Sequence, residues 1–131
     1  MREILFRGKR LHDGKWVEGC LVKAVGGECM ILPITTEHYG GVEFSAGFHC
    51  DPATVGQYTG LTDKNGKKIF EGDIVHNGAG DPGVVVWIYG SFAIHFFDGE
   101  DWAVCQYVTE EYTEVIGNIY DNPELLEQEV Q

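Results

Sequence analysis

No stretch of this chain approaches the roughly 20 consecutive apolar residues that a helix needs to span a bilayer. Its opening, Met1-Arg2-Glu3-Ile4, lacks the longer apolar core of a signal peptide. The cytoplasm is the expected compartment. No Cys-x-x-Cys pair occurs either. Cys20, Cys29, Cys50 and Cys105 lie far apart, which fits neither a dense disulfide framework nor a zinc ribbon, and buried thiols are expected. Cations are absent from nearly half of the chain. Every Lys and Arg lies at or before Lys68: residues 1–70 hold nine basic and eight acidic groups, residues 71–131 thirteen acidic and no basic ones. Phosphate contacts from Lys and Arg dominate nucleic-acid affinity, so the second half should repel DNA and RNA.

What is present is enough to fold. With 131 residues, 44% of them hydrophobic and 12% aromatic, the chain has the size and composition of one globular domain with room for a small appended subdomain. The formal net charge of −12 makes it acidic overall.

Alternating and β-branched runs bounded by turn formers dominate the pattern, and the fold class expected is mainly β. Residues 3–7 and 16–22 flank a turn at Asp13-Gly14 and read as a hairpin. Residues 29–32 form a compact apolar strand that Pro33 brings to an end. Residues 35–53 read as a loop with one short strand around Val42 to Phe44. A tight turn is required at Asp63-Lys64-Asn65-Gly66-Lys67, and Gly60, Gly66 and Gly72 can supply positive φ there.

About five strands follow between residues 72 and 120, spaced as in a small, partly open barrel. In the run Val84 to Tyr89 both faces are apolar, which predicts burial of Val84, Val86 and Ile88 together with Trp87 or Tyr89. At the end, Asn122 as cap, Pro123 at the first helical position and Glu124 in the first turn predict a short C-terminal helix.

Three stretches together resemble the YopX family of phage and prophage proteins of Gram-positive bacteria: residues 1–8, residues 55–75 (VGQYTGLTDKNGKKIFEGDIV) and residues 114–126 (EVIGNIYDNPELL). The resemblance spans nearly the whole chain, with residues 24–52 and 77–112 carrying little of it. It implies an SH3-type β-barrel, in agreement with the strand count. It implies no activity, because the family brings no catalytic or binding residues to carry across. The expected organisation is an N-terminal β subdomain over 1–52 and an SH3-like barrel with a short C-terminal helix over 53–131.

Other motifs weigh less. Gly78-Ala79-Gly80-Asp81-Pro82-Gly83 has the letters of a dinucleotide fingerprint, but a strand pattern follows where a helix is needed, and Asp81 would repel phosphate. The Asp63 turn departs from a calcium loop at Lys67, Lys68 and Ile74. His49-Cys50 with His38 is the least implausible zinc nucleus, yet no spacing matches a structural site. Asp98, Glu100 and Asp101 read as a solvated turn rather than a carboxylate pair. No cofactor and no metal are expected. Gln57 and Tyr58 are the candidate recognition residues, placed on a loop beside the central turn. The reading is therefore a non-enzymatic interaction or regulatory protein with a protein partner, one with a basic surface if the acidic half does the binding, and with self-association left open. An acidic decoy of a nucleic-acid groove is the first alternative, and a small hydrolase or metal enzyme using scattered Cys and His is the second.

Overall fold

The computed structural model describes residues 3–36, 42–44, 47–76, 82–98, 101–107 and 112–126. Its internal contacts divide the chain into two compact units, Met1–Tyr58 and Thr59–Gln131. Both are built of antiparallel strands.

In the first unit, β1 (Phe6–Lys9) and β2 (Trp16–Lys23) form the expected hairpin, with Gly14 in the left-handed region at φ 71°. β2 pairs with β3 (Cys29–Leu32), which Pro33 ends as expected. The stretch expected as a loop with one strand holds three: β4 (Ile34–Thr36), β5 (Val42–Phe44) and β6 (Phe48–Cys50), with β4 paired to β5 and β6 to β3. Alternation puts Val17, Ile31 and Cys50 on one face, where Phe6, Leu21, Phe48 and Val55 close over them.

The boundary between units falls within β7 (Gly56–Thr62), whose first residues pair with β1. In the second unit the end of β7 neighbours β8 (Lys68–Phe70), and the Thr59 hydroxyl donates to the Ile69 carbonyl at 2.8 Å. Five more strands follow: β9 (Asp73–His76), β10 (Gly83–Ile88), β11 (Ser91–Asp98), β12 (Asp101–Tyr107) and β13 (Glu114–Asn118). They match the expected five and lie in the order β12-β11-β10-β9-β13. That order has two different ends, so among the described residues the sheet is open, and the SH3-like barrel expected over 53–131 does not close. Closure needs an end-to-end pairing of edge strands, and sequence spacing alone does not specify it.

The core of this unit is Ile69, Val75, Val85 and Ile94, flanked by Leu61, Phe96 and Val115. The second correction is at the C-terminal end, where Pro123–Leu126 makes a single 3₁₀ turn in place of the expected helix. Asn122 does not act as a free cap: its side-chain oxygen accepts the N–H of Asn118 at 3.2 Å and so fastens the turn to the end of β13. The Leu125 N–H then reaches the Asn122 carbonyl, a three-residue spacing.

Candidate functional site

The central block is held together from inside. Asp63 is buried, and its carboxylate accepts three backbone N–H groups: Asn65 and Lys67 on Oδ1 and Val115 on Oδ2, each at 2.9 Å. Burial pushes this carboxyl up, but the three N–H groups and the Lys67 charge outweigh it and hold the pKa below the ordinary carboxylate value. Gly60, Gly66 and Gly72 all take positive φ, as their positions required. At Gly72 the need is strict: φ is 90°, and an added Cβ would meet the Tyr120 ring at 3.1 Å. Asp73, almost fully buried, accepts the Phe70 N–H at 2.7 Å and closes the same corner. These polar groups are consumed by the turn itself.

Gln57 and Tyr58 lie on a strand and not on a loop. Both belong to β7, where Gln57 is opposite Phe6 and Tyr58 is buried, with its N–H on the Leu5 carbonyl at 2.8 Å. His49 and Cys50 are adjacent on β6 and therefore point to opposite faces, His49 outward and Cys50 into the core. His38 lies outside the described residues, among which no cluster of three His, Cys, Asp or Glu is arranged to hold a metal. Cys50 sits opposite Cys29, and burial pushes its thiol up, away from the thiolate form that attacks electrophiles. Of the dinucleotide look-alike, Gly78 to Asp81 lie outside the described residues, and Gly83 opens a strand.

Chemistry of another kind gathers at the β10–β11 hairpin. Val84 and Val85 are buried, Val86 and Ile88 are half-buried, but Trp87 is 54% and Tyr89 96% exposed, which overturns the expected burial of one of them. The reason is the reach of β9, which pairs with β10 at Gly83 and Val84, with the Gly72 N–H on the Val85 carbonyl just beyond; among the described residues the distal half of β10 has β11 as its strand neighbour. Ile88 and Ser91 are opposite one another and enclose a two-residue loop, Tyr89-Gly90, with φ of 52° and 79°. Two positive φ values in a two-residue hairpin loop define a type I′ turn, where Asn or Gly is favoured. Trp87 and Phe92, directly opposite in register, meet edge to face with ring centroids 4.8 Å apart. The Tyr89-Gly90 pair between two apolar runs was the signal in the sequence for this exposed tip. Period-two alternation concealed it.

On the other face of the same strands, Val84, Val86, His95, Ile119 and Leu126 line an apolar pocket of about 260 Å³. In the first unit the aromatic rings already hold cations: the Arg7 guanidinium lies 4.7 Å from the Trp16 ring centre, and that of Arg10 lies 4.4 Å from Phe48.

Comparison with known proteins agrees with the motif reading. The family model described as YopX protein matches residues 5–127. A crystal structure of the protein EF1440 from Enterococcus faecalis is similar over 97% of this chain and 100% of its own, at 26% identity and a TM-score of 0.63. No curated protein matches the chain. No described helix is long and apolar enough to cross a membrane.

Proposed function

The chain belongs to the YopX family, and from that membership and the geometry above we propose that it is a non-catalytic binding protein, made by a phage or prophage in a bacterial cytoplasm, whose acidic second half engages a basic surface of a partner protein. The observation that carries this reading is the run of 61 residues, 71–131, with thirteen acidic side chains and no Lys or Arg. Such a field draws a basic partner in and turns nucleic acid away. The internal use of the Asp63 and Asp73 carboxylates and the raised pKa of Cys50 support a binding role over a catalytic one. The decoy reading is a special case, in which the basic surface is a groove that otherwise holds nucleic acid.

The experiment is affinity capture from host-cell lysate with the wild type and with a variant carrying Glu110, Glu111, Glu124 and Glu127 changed to Lys. It is followed by a salt series on the purified partner. The wild type should capture a basic protein that the variant loses, and affinity should fall steeply with salt. An unchanged set of captured proteins, or tight wild-type binding to duplex DNA near physiological salt, would sink the proposal.

A further inference from the structure

The tip of the β10–β11 hairpin spends conformational energy that no packing among the described residues returns. Tyr89 is a bulky residue in the left-handed region, a conformation that is strained for an L-residue of this kind. With 96% of its surface exposed it recovers none of that by packing. Beside it, Trp87 is more than half exposed, with one edge against Phe92. Exposed aromatic rings of this type are among the residues that dominate binding energy when a partner covers them.

The hairpin carries almost no charge of its own, so the acidic second half as a whole selects the charge of the partner. The strands of this hairpin, residues 83–98, contain no cation and a single carboxylate, Asp98, and no Lys or Arg occurs anywhere from residue 71 onward. A cation that comes to these rings must therefore be supplied from elsewhere in the chain or by another molecule. Two of the chain's three arginines, Arg7 and Arg10, already lie over rings of their own unit, Trp16 and Phe48. Guanidinium is favoured over ammonium at an aromatic face because it is planar and more weakly hydrated, and it stacks as well as attracting the ring quadrupole.

We propose that Trp87 and Tyr89 form the anchor of a docking surface for an arginine side chain of a basic protein partner. The acidic second half supplies the long-range attraction, and the hairpin tip supplies the preference for arginine over lysine. This rests on the reading of the acidic half given above and adds to it the point of contact.

The probes are octaarginine and octalysine peptides, equal in charge, titrated into the full chain and followed by NMR. The chain has three tryptophans, so the indole N–H signal of Trp87 is assigned by its loss in Trp87→Phe. The expected result is that octaarginine shifts the Trp87 signal and binds several-fold more tightly than octalysine. Trp87→Ala combined with Tyr89→Asn should weaken octaarginine binding about tenfold and leave the salt slope unchanged, because neither substitution removes a charge. Tyr89→Asn alone, which relieves the turn, should lose part of the affinity and serves as the folded control.

Octaarginine binding that leaves the Trp87 signal unmoved, or full affinity in the double variant, overturns the anchor while the acidic reading stands. A Trp87 signal that shifts with protein concentration alone would assign the tip to a second copy of the chain and overturn the basic partner. Failure of both peptides to bind at low ionic strength would overturn the acidic reading and the anchor with it.

Discussion

Asp63 is 4% exposed and still ionised, because three backbone N–H groups replace the water it has lost. Its folded pKa lies below the unfolded value of about 3.9. The stability it contributes is therefore present above pH 4 and is lost as the pH falls through the folded pKa. Asp63→Asn should cost about 1.5–3 kcal/mol near neutral pH, since an amide turns a donor toward one of those N–H groups. Denaturant midpoints taken from pH 7 down to pH 2 should converge for the two proteins, and an equal midpoint at pH 7 would remove Asp63 as the staple of the turn. Val85 and Val86 make a second comparison at this scale. Val85 is 1% exposed within the core and Val86 only half-buried beside the pocket. Val85→Ala should cost about 2 kcal/mol and Val86→Ala less than about 1 kcal/mol. Urea unfolding that ranks them the other way would place the core on the wrong face of β10.

Among the elements, the β10–β11 hairpin shows how one strand can lie in two environments. Its base has β9 on one side and β11 on the other, with the core against one face and Ile119 and Leu126 over the other. Among the described residues its tip has neither β9 nor a covering layer, and the type I′ turn holds a tyrosine where Asn fits without strain. Tyr89→Asn should therefore raise stability by about 0.5–1 kcal/mol, read as a higher melting temperature. A lower melting temperature would mean that the ring makes contacts beyond those of an exposed side chain. Increased stability together with weaker octaarginine binding is the pattern of a residue kept for recognition at some cost to the fold.

For the molecule as a whole, the net charge of −12 is unevenly spread along the chain, because the acidic excess lies in residues 71–131 while all the cations lie before them. Like charges in that stretch repel, and salt screens them over about 8 Å at physiological ionic strength. Raising sodium chloride from 10 mM to 200 mM at pH 7 should increase the melting temperature by a few degrees, as measured by calorimetry or circular dichroism. A decrease would show that attractive pairs, such as Lys64 with Glu114 at 3.2 Å, outweigh the repulsion.

The sequence by itself determined the strands and the corners. Side-chain alternation and turn chemistry are local, so the hairpin at Gly14, the Asp63 turn, the positive φ of Gly60, Gly66 and Gly72 and the five strands of the second unit were all legible, as was the family from its three blocks. The tertiary structure decided what lies beside each strand. Whether the five-stranded sheet closes depends on its two edge strands meeting, and whether Trp87 is covered depends on how far β9 extends along β10. Neither is written in any window of residues. The C-terminal turn follows the same rule: Asn122 and Pro123 have the chemistry of a helix start, but the Asn122 side chain was captured by the Asn118 N–H at the end of β13. Periodicity specifies which faces of a strand are apolar, and only the packing of distant segments specifies which of those faces is buried.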